Sequence, residues 1–359
     1  MESDPDPNQP AVDPAVTDTA ADIATMRIRG AATIADAAAA ALATQAERST
    51  ATDPAAFERN LRAGARELYE TRPTAVSLPN ALRYVLRGVE GETVAALRKS
   101  TIERADTFRT ELEQAQSTLG EIGANRLRDG DVVMTHCHST DALSCIEAAL
   151  ESGTHIEAIV KETRPRKQGH ITARQLRELG VPVTLIVDNA ARRYLDEADH
   201  VLVGADSIAA DGSVINKIGT SGLAVNARER GVPVMVAAQT IKLHPDTMTG
   251  HTVAIEMRDE QEVLSLEERV EIESPSEGAE SRSTAVDGND DKDSSQSESD
   301  LTVENPAFDV TPPRYIDAIV TERGQFPPES IVTLMRELFG ETTAEPWEEC
   351  VCSRQTDHH

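Results

Sequence analysis

The chain has 359 residues, a formal net charge of −27 and a sequence pI of about 4.7. This excess of negative charge argues against non-specific binding to DNA or RNA, which requires a basic surface. No apolar run reaches the ~18 residues of a membrane span, and the acidic start carries no secretory signal, so a cytoplasmic protein is predicted. Six lysines stand against 29 arginines, and this acidic, lysine-poor composition is typical of salt-adapted proteins.

The first part of the chain is predicted to be helical. Residues 1–20 lack periodicity and are expected to form a disordered acidic tail. Residues 21–128 are interpreted as a helical domain. The high alanine content of 31–46 predicts a helix there, and apolar residues spaced by three and four positions predict helices at 54–69 and 91–115. Between the latter two, residues 72–78 interrupt the helical pattern and then begin a further helix.

From Asp131 onward, strands and helices alternate. Apolar runs predict strands at 132–137, 156–162, 183–188, 201–206 and 234–239, and the helices between them are expected at 140–152, 170–179, 190–198 and 221–230. These lengths predict parallel crossover connections. The fold class is therefore α/β, with an N-terminal helical domain followed by a Rossmann-like domain with a mainly parallel sheet at 129–259.

The remainder of the chain is predicted to leave this domain and return to it. Residues 260–304 have the composition of a disordered acidic insertion. The α/β domain is expected to resume at 305–345, with Thr311 as an N-cap, Pro312 at the first helical position, and a last helix at 328–339. Residues 346–359 are interpreted as a C-terminal tail, whose Cys350 and Cys352 are a weak metal motif and more typical of a frayed end.

Each of the five predicted strands ends in a polar residue. These residues are Cys137, Glu162, Asp188, Asp206 and Gln239. Ligands of parallel sheets bind outside the carboxyl ends of the strands, so this edge is the predicted site.

Cys137 and Asp206 are candidates for proton transfer. A thiol at a helix N-terminus has a lowered pKa and can act as a base or nucleophile, although a small buried hydrophobic residue is the alternative reading of Cys137. A carboxyl group in the apolar setting after Gly204-Ala205 is expected to have a raised pKa that suits a general acid; an Asp that caps the next turn is the alternative.

Several segments could hold an anion. The backbone N–H groups of Ser139, Thr140 and Asp141 open a predicted helix. Asn216 and Lys217 begin a glycine-containing helix entry that resembles a phosphate cradle, and Lys242 is a second cation near the sheet edge. No G-x-G-x-x-G follows the first strand, so dinucleotide binding is unsupported. The histidines near the site form no recognisable metal motif, so no metal is assigned.

Seven segments together resemble one known family. They begin with Arg29-Gly30-Ala31, Arg72-Pro73-Thr74-Ala75-Val76 and Thr135-His136-Cys137-His138-Ser139, and continue with Glu162-Thr163-Arg164-Pro165, Val203-Gly204-Ala205-Asp206, Asn216-Lys217-Ile218-Gly219-Thr220 and 305–312. This family joins sugar-phosphate isomerases with the regulatory α, β and δ subunits of translation initiation factor 2B, and the match spans roughly residues 21–340. The regulatory subunits typically lack the Cys/Asp pair, so the pair at Cys137 and Asp206 favours an enzyme.

Among the enzymes, methylthioribose-1-phosphate isomerases typically carry Pro-Thr-Ser where this chain has 238–242. The archaeal ribose-1,5-bisphosphate isomerases are more similar at 135–139 and 239–242. The resemblance then implies conversion of α-ribose 1,5-bisphosphate to ribulose 1,5-bisphosphate in nucleoside and AMP salvage feeding an archaeal ribulose-bisphosphate carboxylase.

The resemblance also implies roles for individual residues. It makes protonated Asp206 the acid that opens the ring and Cys137 the base that removes the C2 proton. The substrate-binding residues that it implies are Arg29, Gly30, Ala31, Ala32, Arg72, Ser139, Thr140, Asp141, Asn216, Lys217 and Lys242. At Asp141 the backbone alone is expected to help, because a carboxylate is a poor phosphate partner. No cofactor is expected, and the partners implied are a phosphorylated pentose, AMP as an effector, and further copies of the chain in a dimer or hexamer.

Overall fold

The computed structural model describes residues 10–28, 30–72, 75–274, 301–340 and 345–348. Five helices form the N-terminal domain: α1 (Pro14–Ala24), α2 (Ala31–Arg48), α3 (Pro54–Thr71), α4 (Ser77–Arg87) and α5 (Val94–Ala124). Alanines such as Ala35, Ala38 and Ala39 lie at the centre of their core and let the helices approach closely. None of the helices in these described ranges is both long and apolar enough to cross a membrane.

The α/β domain contains two sheets. Its strands are β1 (Asp131–His136), β2 (Ile156–Lys161), β3 (Val183–Ile186), β4 (His200–Gly204), β5 (Ser207–Ala209), β6 (Val214–Lys217), β7 (Val234–Ala237), β8 (Leu243–His244), β9 (Phe308–Thr311), β10 (Ala318–Thr321) and β11 (Gly324–Phe326). The larger sheet has the order β11-β10-β7-β4-β1-β2-β3, and every neighbouring pair in it is parallel except β10 with β11. The predicted mainly parallel α/β architecture is therefore confirmed.

The smaller sheet was not predicted from the sequence. It has the order β8-β5-β6-β9 and lies at the carboxyl edge of the larger sheet, because β5 starts only three residues after β4 ends. Asp211-Gly212 forms the turn of its β5–β6 hairpin. The sheet matters for the site because Asn216 and Lys217 end β6.

The helices of this domain are α6 (Thr140–Glu151), α7 (Gly169–Glu178), α8 (Ala191–Tyr194), α9 (Thr220–Arg230), α10 (Leu266–Glu273) and α11 (Ile331–Phe339). The long helix α5 packs against α6 and so joins the two domains. The fit is close, because a methyl group at Gly123 would overlap the Cys145 sulfur. Cys145 is buried, as expected for a packing residue.

Four expectations about the chain ends, the insertion and the segment that follows the insertion need correction. Residues 14–20 belong to α1, whose Val16, Ala20 and Ile23 are buried at helical spacing, so this part of the predicted tail is ordered. Part of the predicted insertion is also ordered, since a capping box at Ser265 starts α10. Trp347, assigned to the tail, is buried in the helical core. Residues 1–9, 275–300 and 349–359 lie outside the described residues.

The fourth correction concerns Thr311. It is the last residue of β9, which pairs antiparallel with β6, rather than the cap of a helix. Pro312 then precedes a single 3₁₀ turn, Pro313–Tyr315. Strand pairing with β6 therefore overrides the local capping signal.

Candidate active site

Cys137 lies in the tight turn between β1 and α6. Its backbone has a φ of 68°, a left-handed conformation that non-glycine residues rarely adopt. Its N–H donates to Thr163 Oγ1 at 2.8 Å, and its carbonyl accepts from Thr172 Oγ1 at 2.9 Å. Ser139 caps α6 by accepting the Ala142 N–H at 3.2 Å, so the predicted helix start at Thr140 is confirmed.

The expected lowering of the Cys137 pKa is wrong. Burial raises the pKa of this thiol to about 11, and the charge of Asp206 adds to the increase, while Lys217 opposes it. The side chain is only 7% exposed. The field of a helix falls off beyond its first turn, and α6 begins three residues later, so desolvation dominates.

Asp206 lies between β4 and β5 on the same edge as Cys137. Its side chain is exposed to solvent, yet the protein around it partly desolvates the carboxyl group. This surrounding raises the pKa of the carboxyl group, as predicted, while Lys242, Lys217 and Arg72 oppose the increase. The chain approaches the Cys137 turn closely here, because a methyl group at Gly204 would overlap the Ser139 hydroxyl.

Lys242 is held by a buried carboxylate. Its ammonium donates to Asp141 Oδ2 at 2.7 Å, and Asp141 is 1% exposed. Gln239 completes the arrangement, since its side-chain N–H donates to Asp141 Oδ1 at 2.9 Å. The expectation that Asp141 contributes through its backbone alone therefore misses its side chain, which orients Lys242 and Gln239.

Lys217 is a buried cation without a carboxylate partner among the described residues. It is 8% exposed, and its ammonium lies 4.5 Å from the centroid of the Phe308 ring. A buried charge is costly unless it is compensated. Lys217 thus provides a positive charge beside Asp206 and Cys137, and this charge opposes the increase in the pKa of both groups.

The predicted phosphate cradle at the start of α9 is already occupied by a side chain. Asp309 accepts the N–H groups of Gly219 at 2.7 Å and Ser221 at 3.1 Å. Asn216 also faces inward, donating to Thr220 Oγ1 at 3.0 Å. The helix N-terminus therefore binds an internal carboxylate, and the ammonium of Lys217 is what this segment offers to an anion.

The remaining predicted binding residues come from the helical domain. Arg72 faces Glu256 at 3.8 Å and is close enough to Asp206 to lower its pKa. Gly30, with a φ of 91°, precedes α2, whose first turn contains Ala31 and Ala32 and has no side-chain cap. Arg29 lies outside the described residues.

Two of the five strand-end residues make hydrogen bonds to other parts of the protein. Asp188 accepts the backbone N–H groups of Thr163 at 2.9 Å and Arg164 at 2.7 Å, and so shapes the loop after β2. Gln239 donates a hydrogen bond to the Asp141 carboxylate. Sequence reasoning missed Thr163 and Asp309, because their partners are 26 and 90 residues away along the chain.

A model described as the Initiation factor 2 subunit family matches residues 27–328, which is most of the chain. The chain belongs to the initiation factor 2 subunit family. This family member is 75% identical over 343 residues to a "Ribose 1,5-bisphosphate isomerase" of Haloterrigena turkmenica, with 96% of this chain and 99% of the relative covered.

Two further relatives show the breadth of the family. A "Methylthioribose-1-phosphate isomerase" of Pelotomaculum thermopropionicum is 37% identical over 350 residues, covering 92% of this chain and 89% of its own. Among solved structures, the translation initiation factor eIF-2B of Pyrococcus horikoshii OT3 matches with a TM-score of 0.68 and 29% identity, covering 89% of this chain and 100% of that one. The resemblance stated from the motifs is thereby confirmed at the level of the family.

Proposed function

We propose that this protein is an isomerase that converts α-ribose 1,5-bisphosphate to ribulose 1,5-bisphosphate. One observation carries the proposal: a thiol and a carboxyl group with a raised pKa lie on one sheet edge beside Lys217, a buried cation that lacks a carboxylate partner among the described residues. The 75% identity to a relative named for this activity supports the choice of substrate.

The chemistry needs one acid and one base. Protonated Asp206 donates to the ring oxygen, and the C1–O4 bond breaks to leave an oxocarbenium ion at C1. The Cys137 thiolate removes the proton from C2, which forms the C1=C2 double bond of an enol phosphate. The Asp206 carboxylate then takes the enol O–H proton while the Cys137 thiol returns its proton to C1. The ketone forms at C2 and both groups recover their starting states.

The charges of the site match a substrate with two phosphates. In the free protein, Lys242 and Lys217 oppose the increase in the pKa of Asp206 that desolvation causes. Bound phosphate dianions compensate those cations, so the carboxyl group keeps the proton that it must donate. From the helical domain, the first turn of α2, which contains Ala31 and Ala32, the preceding Gly30 and Arg29, and the side chain of Arg72 are proposed to bind the substrate.

The alternative reaction is isomerisation of methylthioribose 1-phosphate, whose substituent at C5 is uncharged. The lower identity of 37% to a relative of that name makes it the second candidate. A third candidate is a non-catalytic regulatory protein like the initiation factor subunits. These three differ in what they turn over.

The test is to incubate the purified protein in molar KCl with ribose 1,5-bisphosphate and, separately, with methylthioribose 1-phosphate, and to follow the ketose by NMR. We expect turnover of the bisphosphate and its loss in Cys137→Ser and Asp206→Asn. Preference for methylthioribose 1-phosphate would support the second candidate. No turnover of either sugar, or unchanged turnover in both variants, would defeat the enzymatic proposal.

We also propose the setting in which the enzyme works. It acts in the cytoplasm as a homo-oligomer, a dimer or a hexamer, with AMP as an effector, and its product feeds a ribulose-bisphosphate carboxylase in nucleoside salvage. The family resemblance supports these points. Light scattering gives the oligomer size, and turnover with and without AMP tests the effector.

A further inference from the structure

The turn that carries Cys137 and the loop after β2 are both held in unusual backbone conformations. Cys137 has a φ of 68° and Thr163 a φ of 65°. For a β-branched residue such as Thr163 this conformation is a marked departure from the normal range, and such residues persist only where the surroundings enforce them. Strands β1 and β2 are hydrogen-bonded neighbours, so the two residues lie side by side just beyond their ends.

A single hydroxyl group joins the two segments. Thr163 Oγ1 accepts the Cys137 N–H at 2.8 Å and lies 3.2 Å from His136 Nδ1. Thr163 is 0% exposed, so water does not compete for this oxygen. The hydroxyl group is thus the partner of the backbone N–H on the Cα of Cys137, the atom from which the thiol side chain extends.

His136 determines how that hydroxyl group is used. Its Nε2 lies 2.8 Å from the Ile218 carbonyl oxygen, which can only accept, so Nε2 carries the ring proton. Burial lowers the pKa of His136 to about 4, so the ring is neutral near pH 7 and Nδ1 is an acceptor. The Thr163 O–H can donate to Nδ1 or to the Lys161 carbonyl at 3.1 Å, and in both arrangements its lone pairs remain free for the Cys137 N–H.

The other end of this chain of hydrogen bonds reaches the second functional segment. Ile218 directly follows Lys217, the buried cation of the site. Lys161 supports the same segment, because its buried ammonium donates to the Gly219 carbonyl at 3.1 Å. The thiol turn and the lysine segment are therefore linked by hydrogen bonds of buried side chains.

We propose that Thr163 is a positioning residue, which through its hydroxyl group holds the Cys137 sulfur at the place where it takes a proton from the sugar, and that His136 fixes this hydroxyl group relative to Lys217. The inference rests on the proposed function of Cys137. It adds two buried residues that do not touch the substrate but set the geometry of one that does.

The experiment compares Thr163→Ala with Thr163→Ser. Both substitutions remove the β-branch, so both relieve the same backbone strain, and they differ only in the hydroxyl group. We expect Thr163→Ala to lower kcat about 100-fold with KM nearly unchanged, which is the loss typical of a catalytic group misplaced by about 1 Å. Thr163→Ser should keep kcat within about threefold of the parent, because the hydrogen bond to the Cys137 N–H is restored.

A second readout does not depend on turnover. Alkylation of Cys137 by iodoacetamide, followed by peptide mass spectrometry, reports how the thiol is held. We expect the rate to rise about fivefold or more in Thr163→Ala, since the turn loosens around a buried thiol, and to stay unchanged in Thr163→Ser. If the parent protein turns over neither sugar, the proposed function fails, and this measurement still decides whether Thr163 positions Cys137.

Two variants of His136 test its part in holding the Thr163 hydroxyl group. His136→Asn keeps an acceptor near the position of Nδ1, whereas His136→Leu keeps none. His136→Asn still loses the Nε2 contact with the Ile218 carbonyl, so we expect its kcat to lie between those of the parent and His136→Leu, and the Leu variant to fall towards the level of Thr163→Ala. Equal kcat and alkylation rates in Thr163→Ala and Thr163→Ser would overturn the role of Thr163, and a fully active His136→Leu would overturn the role of His136.

Discussion

Raising the pH from about 7.5 to about 9.5 should accelerate the alkylation of Cys137 about 100-fold. Burial raises the pKa of this thiol to about 11. Only the thiolate reacts, so below the pKa the rate increases tenfold for each pH unit. An unperturbed cysteine, with a pKa of about 8.5, would accelerate only about tenfold over the same interval, because it approaches full ionisation.

The magnitude follows from the same pKa. At pH 7.5 the thiolate fraction of Cys137 is about 3 × 10⁻⁴, and forming the thiolate costs about 5 kcal/mol at 1.36 kcal/mol per pKa unit. Cys137 is only 7% exposed, so solvent does little to reduce this cost. The thiolate that does form is a strong base, which suits removal of a carbon-bound proton.

The assay is iodoacetamide labelling in molar KCl with quantification of the Cys137 peptide. Cys145 serves as the internal control, because it is 0% exposed and burial raises the pKa of its thiol to about 12, so it should stay unlabelled while the protein is folded. A labelling rate that levels off below about pH 8 would refute the reasoning, since it would mean that the helix N-terminus outweighs desolvation.

The pH profile of turnover should agree. The reactive form pairs a protonated Asp206 with an ionised Cys137. As the pH rises between the two pKa values, the fraction of protonated Asp206 falls as fast as the fraction of thiolate grows. We therefore expect kcat/KM to be flat from the raised pKa of Asp206 up to about pH 11, to fall tenfold per unit on the acid side, and to fall again above.

Three further predictions concern stability. Lys242→Met should lower the free energy of unfolding by about 3 kcal/mol, because it leaves the buried Asp141 carboxylate without its cation. Adding Asp141→Asn should recover most of that loss. Additive losses for the two substitutions in chemical denaturation would contradict the pairing. Gly204→Ala should lower the free energy of unfolding by about 1–3 kcal/mol, because the added methyl group overlaps the Ser139 hydroxyl. Gly222→Ala is the control: its methyl group meets nothing within 4 Å, so it should be neutral or stabilising by up to about 1 kcal/mol. Equal melting temperatures for the two variants would refute the close approach at Gly204. Trp347→Ala should cost about 3–5 kcal/mol, and an unchanged denaturation midpoint would show that this buried indole is not part of the helical core.

Much of the fold could be predicted because its signals are local. Five of the six parallel strands of the larger sheet, all except β10, were recognisable as short apolar runs, and the polar residue at the end of each run indicated the sheet edge. The first helix was missed even though Val16, Ala20 and Ile23 have helical spacing, because the surrounding aspartates and prolines resemble a disordered segment. The small sheet was missed because pairing between β6 and β9 joins residues 97 positions apart, such as Val214 and Thr311, across the acidic insertion.

The position of the candidate residues at one sheet edge was predictable from the sequence, but their ionisation and hydrogen-bond partners were not. Residue type and position identified Cys137 and Asp206. Whether burial or a helix terminus controls the thiol depends on packing, which the sequence does not display. Likewise, no local signal shows that Asp309 occupies the N-terminus of α9 or that Asp141 orients Lys242.

The base of the acidic insertion is closed by backbone contacts. The N–H of Arg258 donates to the Asn305 carbonyl at 2.9 Å, and that of Ala307 donates to the Glu256 carbonyl at 2.8 Å. Glu262 fastens the same base to the loop after β2, with Arg166 at 2.7 Å, and the arginines lower the pKa of its carboxyl group to about 2. These contacts hold the two flanking segments together regardless of how many residues lie between them. Because the entropy cost of closing a loop grows only slowly with its length, a longer insertion would destabilise the fold little. Because these contacts hold both ends, we expect changes in the length of chain between residues 274 and 301 to leave the backbone pairing at 256–258 and 305–307 intact.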